Sequence, residues 1–215
     1  ALLPGVQFSP SNQMGNDTIV AGGQTSQNSN VSVDGGYNAD DALGTSAGAQ
    51  VRTPLESVQE FQVLTSMYDA EYGRASGAIV NAVSKSGTND FRGVLFGYSA
   101  NNALTAEDYF VRNSDVLEKP TTTQREWGGV IGGPIIKNRA HFYFTIENDQ
   151  EKIAGFKRFP TAAAPLATDM LGQFEVNAMN YFARGDLQLN PSNFINVRWL
   201  LETAPTKGEG FNTNN

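Results

Sequence analysis

The stretch Glu71–Gly93, EYGRASGAIVNAVSKSGTNDFRG, separates two segments of different character. A polar segment rich in Gly, Asn and Ser precedes it, and segments of alternating polar and apolar residues follow it. A short apolar strand is predicted over 78–84. Glycines around that strand favour sharp turns or close approach of two backbones rather than catalysis. The glycines of this stretch are Gly73, Gly77, Gly87 and Gly93. The stretch therefore predicts a junction between two architectures.

The composition excludes several classes of protein before any motif is considered. The 215 residues carry a net charge of -7 and no cluster of Lys and Arg, which argues against a nucleic-acid surface. The absence of cysteine excludes disulfides, thiolate metal sites and cysteine nucleophiles. The longest apolar runs are a few residues, far short of the roughly 20 that a membrane helix needs. Any membrane-spanning part is therefore expected to consist of strands.

Alternation with period two predicts about five strands in the second half of the chain. In the segment AHFYFTIE, Phe142 and Phe144 face one way, while Tyr143 and Glu147 face the other. The same pattern predicts that charged side chains of two later strands share the polar face. These are Arg184, Asp186 and Arg198.

The predicted connections between these strands are of two kinds. Short turns are predicted at 136–139 and 190–193, and long polar connections at 101–126 and 148–174. Short turns at one end and long loops at the other are typical of an outer-membrane barrel. Alternation by itself also fits a half-exposed soluble sheet. A soluble sandwich, however, rarely needs two structureless connections of more than about 20 residues.

The junction stretch resembles the place where the plug of a TonB-dependent outer-membrane transporter ends and its barrel begins, a pattern of YG, GGVVN and TK. The matching residues are Tyr72, Gly73, Gly77, Ala78, Ile79, Val80, Asn81, Ser84 and Lys85. Ala78 stands where most members have a second Gly, as is typical of the Oar-like branch. Further motifs of that branch follow in order, including the run from Gly128 to Pro134 that resembles GGxxGGP. The resemblance extends from Leu3 to about Trp199.

The resemblance implies a mainly β fold with two domains. Residues 1–93 are expected to form a small, partial, mixed α/β plug domain. Residues 94–215 are expected to form about five of the first antiparallel strands of a transmembrane β-barrel. Because such barrels close with about 22 strands, the chain is expected to be a fragment of a longer protein or to be completed by another chain.

The implied function is TonB-dependent transport of an unidentified substrate through a plug-gated barrel in the bacterial outer membrane. The expected partners are the TonB–ExbB–ExbD energy complex, acting through a segment not in this chain, outer-membrane lipid, the rest of the barrel and the substrate. No cofactor, metal or catalytic residue is predicted. The expected plug–barrel junction motif is Tyr72, Gly73, Gly77, Asn81, Lys85 and Gly87. The lumen-facing candidates are Tyr143, Glu147, Arg184, Asp186 and Arg198, and the cations to inspect for anionic ligands are Arg74, Lys85, Arg184 and Arg198.

Two alternatives follow from the residues themselves. A soluble or secreted all-β binding or adhesion module would pack the alternating apolar faces inside one core, whereas a barrel turns them outward. A calcium loop would use the oxygen ligands near Asp34, but their spacing does not match the D-x-[DN]-x-[DN]-G pattern, so no metal site is predicted. The oxygen ligands considered are Asp34, Asn38, Asp40 and Asp41. An enzyme is not expected, because the only histidine, His141, has no Cys or second His beside it.

Overall fold

The computed structural model of the protein describes residues 6–10, 17–21, 23–39, 49–65, 75–104, 106, 122–157 and 170–209. These residues form twelve β-strands and two three-residue 3-10 helices, so the fold is mainly β. No α-helix occurs in the described ranges, and the helical turn predicted near 66–73 lies outside them. Within the described residues, no helix combines the length and the apolar character that a membrane-crossing helix needs.

The N-terminal strands form two small sheets. Their bounds are β1 Val6–Pro10, β2 Asp17–Ala21, β3 Asn30–Val33, β4 Gly36–Tyr37, β5 Val58–Leu64 and β6 Ile79–Ser84. Strands β1 and β2 pair antiparallel. The second sheet has the order β4-β3-β6-β5, with β3 and β6 parallel and the other two pairs antiparallel. The short apolar strand predicted over 78–84 is β6, and the predicted strand ending near Leu64 is β5.

A tight turn joins β3 to β4 and depends on local sequence. Asp34 and Gly35 have φ values of 49° and 82°, in the left-handed region that Asp tolerates and Gly favours. The Asp34 backbone N–H donates to the Ala82 carbonyl at 2.7 Å, so the turn is fastened to β6. The Asp-Gly pair is a common hairpin signal, and it fixes the Asp34 side chain beside the end of β6.

The C-terminal strands form one six-stranded sheet in chain order. Their bounds are β7 Arg92–Asn101, β8 Thr123–Ile136, β9 Ala140–Lys157, β10 Met170–Asn190, β11 Asn193–Thr203 and β12 Thr206–Glu209. The order is β11-β10-β9-β8-β7, and β12 also pairs with β10. Because β11 and β12 both lie beside β10, they occupy one strand position between them. The sheet therefore has five strand positions, as the alternation predicts.

The two long connections are shorter than predicted, and that prediction was wrong in its bounds. Strand β8 already begins at Thr123, β9 continues to Lys157, and β10 begins at Met170. Polar residues on both faces hide the start of β8 and the far part of β9 from a search for alternation, whereas the start of β10, MLGQF, has apolar residues without strict alternation. A strand can still pair through its backbone where both of its faces are polar. The short turns, in contrast, lie at 137–139 and 191–192, as predicted.

The chain divides into two compact units. The first contains 1–94, 129–146 and 180–202, and the second contains 95–128, 147–179 and 203–215. The apolar core described in the first unit is small: Val6, Ala21 and Ala78, with Val63 packed against them. Much of what is buried elsewhere in that unit is polar, so directed contacts carry much of the packing.

The large sheet buries its polar face within the first unit. The side chains of Tyr143, Thr145 and Asp186 are buried, whereas Val197 is 64% exposed and Trp199 is 51% exposed. A soluble sandwich predicts the reverse, because water would then cover the polar face. An apolar face that no protein covers is what lipid requires of a barrel wall.

Candidate functional site

Gly87 marks the closest approach between the stretch after β6 and the large sheet. A Cβ placed on Gly87 would overlap the backbone of Phe142 and meet the Gly133 carbonyl oxygen at 2.9 Å. Gly133 has no room for a Cβ either, because the Phe91 ring fills that space. Only glycine allows backbones to pass this closely. The close approach that the sequence allowed at the glycines of 71–93 is therefore present at Gly87, where β8 and β9 are the neighbours.

A buried carboxylate lies at the centre of the polar contacts of the first unit. Asp34 Oδ1 accepts a hydrogen bond from the Ser84 backbone N–H at 2.8 Å, and Oδ2 accepts one from the Ser84 hydroxyl at 2.6 Å. Ser84 ends β6 and is buried. Both residues belong to the N-terminal segment, so Asp34 holds the β3–β4 turn against the end of β6.

Two arginines of the large sheet complete what we term the Asp34 cluster, defined as Asp34, Ser84, Arg184, Asp186 and Arg198. Arg184 Nη1 donates to the Ser84 carbonyl oxygen at 2.8 Å and to Ser84 Oγ at 3.0 Å. Its Nε donates to both carboxylate oxygens of Asp186 at 3.0 Å. The Asp186 carboxylate thereby holds the guanidinium in the orientation that reaches Ser84.

The second arginine contacts the Asp34 carboxylate itself. Arg198 Nε lies 2.7 Å from Asp34 Oδ2, and their side chains are 26% and 6% exposed. The Nε atom does not meet hydrogen-bond geometry, so the contact is an ion pair rather than a directed hydrogen bond. With two arginines and two aspartates, the Asp34 cluster is neutral overall. Burial of its charges is therefore balanced by opposite charge and by hydrogen bonds.

Two further contacts join the N-terminal segment to the large sheet within the first unit. The Tyr143 hydroxyl donates to the Glu56 carbonyl oxygen at 2.7 Å, and Lys85 Nζ lies 3.5 Å from Glu56 Oε2. The Glu202 carboxylate accepts a hydrogen bond from the Arg52 backbone N–H at 2.7 Å. One of its oxygens, Oε1, also lies 3.5 Å from Arg52 Nε. Together with the Asp34 cluster, they give this interface a largely polar character.

The predicted junction residues have mainly structural contacts. Tyr72 and Gly73 lie outside the described residues, as does Arg74. Gly77 is buried, and a Cβ there would meet Ser29 Oγ at 2.9 Å. Asn81 Oδ1 accepts hydrogen bonds from Ser32 Oγ at 3.0 Å and from the Gly35 N–H at 3.3 Å.

The predicted lumen-facing residues all lie on the buried or half-buried face of the sheet. Glu147 is buried and belongs to the second unit, whereas the other four belong to the first. The three described cations that were candidates for anionic ligands, Lys85, Arg184 and Arg198, each contact a carboxylate. The positive charges that an anionic ligand would need are therefore already paired with carboxylates of the protein.

The sequence did not single out Ser84, Glu56, Arg52 or Glu202 as site residues. Asp34 was considered only as a calcium ligand, whereas its carboxylate is taken up by Ser84 and Arg198. Across the described ranges, no group of three or more His, Cys, Asp or Glu residues could hold a metal ion. The Asp-Gly turn was the local signal for Asp34, but nothing in the sequence indicated its partners.

Comparison with known proteins agrees with this geometry. The family model described as "Outer membrane beta barrel domain" matches residues 83–193, just over half of the chain. The TonB-dependent transporter Oar of Myxococcus xanthus is 29% identical over 140 residues, which cover 64% of this chain. The crystal structure of the siderophore receptor PirA from Acinetobacter baumannii is similar in fold, with a TM-score of 0.68, 18% identity and 95% of this chain covered.

The chain spans 13% of the length of Oar and 28% of the PirA chain. The matched region of the family model runs from the last residues of β6 to the start of β11, so it includes the wall that carries Arg184 and Asp186. The chain therefore belongs to the outer membrane β-barrel domain family, whose members lie in the bacterial outer membrane.

Proposed function

We propose that this chain provides the plug and the first wall strands of a TonB-dependent transporter that takes an unidentified substrate across the outer membrane. In this proposal residues 1–93 form the plug, including the mixed α/β character expected of it, and residues 94–215 form the wall. The TonB–ExbB–ExbD complex supplies the energy, and the rest of the barrel, membrane lipid and the substrate are the other partners. The likeness to Oar, a TonB-dependent transporter by name, supports this assignment.

The Asp34 cluster is the observation that carries the proposal. It joins the proposed plug to the proposed wall through charged and hydroxyl groups rather than through an apolar core. Water can replace such contacts when the plug moves, whereas separating two apolar surfaces would expose them to water. A largely polar interface therefore suits a plug that has to be held closed and yet be released.

The position of the inward groups supports the same role. Tyr143, Arg184 and Arg198 project from three different wall strands toward residues of the 1–93 segment. A wall whose polar face is covered by an N-terminal segment is the arrangement that a plugged barrel requires.

Deletion of the proposed plug tests the proposal without a known substrate. The gene product that carries this chain is produced in a Gram-negative host, with and without residues 1–91, and sensitivity to vancomycin, which intact outer membranes exclude, is measured. We expect the deletion variant to make cells at least about tenfold more sensitive, because an unplugged barrel of about 22 strands leaves an open lumen.

Two controls make the result decisive. Heat-dependent migration in gels verifies that the deletion variant still forms a folded barrel in the outer membrane. The full protein at the same level should leave vancomycin sensitivity unchanged. The plug assignment would be overturned if the deletion variant is folded and the cells remain as resistant to vancomycin as cells with the full protein.

A further inference from the structure

A group of polar residues in the second unit lines a cavity on the outer side of the wall. The cavity has a volume of about 230 Å³. We term its lining the rim cluster: Thr123, Arg125, Gln150, Lys152 and Glu175. None of these residues takes part in the contacts between the proposed plug and the wall.

Strand periodicity assigns the rim cluster to the face away from the buried one. On β9 the buried side chains include Tyr143, Thr145 and Glu147, so Gln150 and Lys152 lie on the opposite face. On β10 the side chains of Val176 and Ala178 are buried, which assigns Glu175 to the opposite face as well. On β8 the exposed Trp127, Ile131 and Ile135 share a face with Thr123 and Arg125.

The rim cluster carries an excess of positive charge. Arg125 and Lys152 are exposed cations, and Lys152 Nζ lies 3.3 Å from Glu175 Oε2. Lys207 of β12 is the cross-strand partner of Glu175. The lining therefore carries two cations and one carboxylate, in a chain whose net charge is -7. Glu175 pairs with Lys152, and Arg125 is the second cation of the lining.

The rim cluster lies at the edge of the apolar face. From Ile135 to Trp127 the outward residues of β8 cover eight positions, about 20 Å along the membrane normal for a strand tilted by about 40°. Arg125 and Thr123 come directly beyond Trp127, where an aromatic belt marks the headgroup level. The long connections lie at this end of the strands, and in the proposed transporter this is the outer surface.

We propose that the rim cluster binds the phosphate of an anionic lipid in the outer leaflet. Arg125 offers a planar guanidinium that matches a phosphate, Lys152 offers a point charge, and Gln150 and Thr123 offer neutral donors. The cavity holds a headgroup, and the exposed Trp127 lies beside it on the same face of β8. The orientation of the site, but not its chemistry, rests on the proposed function.

The test uses the full-length protein in detergent and native mass spectrometry. The protein is titrated with phosphatidylglycerol and, separately, with phosphatidylcholine of the same chain length. We expect the wild-type protein to retain phosphatidylglycerol in preference to phosphatidylcholine. In the double variant Arg125→Gln/Lys152→Gln this preference should fall by about tenfold or more, because each cation near a lipid headgroup contributes substantially to the binding free energy. A double variant that retains the preference of the wild-type protein would overturn the proposal.

A matched control removes two exposed cations from the other end of the wall, as Arg92→Gln/Lys137→Gln. This variant should keep the preference for phosphatidylglycerol, and an equal loss in it would overturn the assignment to the rim cluster. Inorganic phosphate is added as a competitor. If it displaces the lipid at low millimolar concentration, the site takes a soluble anion and the lipid proposal falls. The vancomycin experiment does not depend on lipid preference, so the two proposals fail separately.

Discussion

Gly87 limits how tightly the stretch after β6 can lie against β8 and β9. A Cβ built on Gly87 would overlap the Phe142 backbone, so even the smallest side chain has no space. Backbone atoms belonging to two paired strands cannot give way as a flexible side chain can. This position is therefore one of the least tolerant in the described chain, although no local pattern distinguishes it from other glycines.

We expect Gly87→Ala to destabilise the folded protein by about 1 to 3 kcal/mol, the usual cost of overpacking. The measurement is urea unfolding of the full-length protein in lipid vesicles, followed by heat-dependent migration in gels. Gly185→Ala is the matched control, because a Cβ at Gly185 meets nothing within 4 Å. Equal stability of the two variants would contradict the steric argument.

Asp34 is the residue through which the turn after β3 contacts both β6 and the wall. We expect Asp34→Ala to cost about 2 to 3 kcal/mol, because it removes the ion-pair partner of Arg198 and the hydrogen-bond acceptor of Ser84. The cost is below that of a fully buried pair, since the Arg198 side chain is 26% exposed.

A double-mutant cycle with Arg198→Ala measures this coupling by urea unfolding. The double variant should be more stable than the sum of the two single losses predicts. Asp34→Asn, which tolerates the positive φ of this position, separates the charge from the turn conformation. Glu60→Ala, at an exposed position of β5, is the control and should change stability little. Strict additivity of Asp34→Ala and Arg198→Ala would show that the ion pair contributes nothing.

At the scale of elements, the strands of the large sheet have opposite requirements on their two faces. Along β10, the side chains of Phe182, Arg184 and Asp186 lie on the buried face, and those of Tyr181 and Ala183 lie on the outward face. A shift of one residue in strand register would turn the charged residues into lipid and the apolar ones inward. The two-sided environment therefore fixes the register of these strands strongly.

A charge on the outward face of β8 should therefore impair insertion. We expect Ile131→Arg to destabilise the folded protein by about 2 to 4 kcal/mol, the cost of an arginine near the bilayer midplane. Ser192→Arg is the control, because Ser192 is exposed in the short turn between β10 and β11. Folding yield in vesicles measures both. Equal yields would contradict the assignment of this face to lipid.

At the scale of the whole molecule, transport requires the contacts between the proposed plug and the wall to open. Arg52 and Glu202 lie close enough to be bridged after substitution, since the Arg52 N–H donates to the Glu202 carboxylate at 2.7 Å. The natural chain has no cysteine, so an introduced pair is chemically unique within it.

We expect Arg52→Cys/Glu202→Cys, bridged by a short bis-maleimide, to retain the barrel in the membrane and to abolish energy-dependent uptake. The readout is growth under a condition, found by screening, in which a strain that lacks the gene does not grow, so the substrate need not be known. Each single Cys variant treated with the same reagent should keep its uptake, because the facing position offers no thiol to bridge. Full uptake by the bridged protein would mean that these two residues stay together during transport.

The sequence by itself determined the mainly β fold, the number of strand positions in the wall and the two short turns. These features depend on period-two alternation and on turn residues, which act between neighbours along the chain. Turns or close backbone approach around the glycines of 71–93 were also predicted, but the sequence did not indicate that Gly87 is the one that meets β8 and β9. The far end of β9 and the start of β10 were not predicted, because their residues, polar in β9 and mainly apolar in β10, do not alternate strictly.

Only the tertiary structure decided which polar residues meet. Ser84, Arg184 and Arg198 lie 50, 150 and 164 residues after Asp34 along the chain, and each has an unremarkable local sequence. Their contact depends on how the β3–β4 turn and the end of β6 lie against β10 and β11. Hydrogen bonds and ion pairs require specific distances and directions, and only the folded path of the backbone provides them.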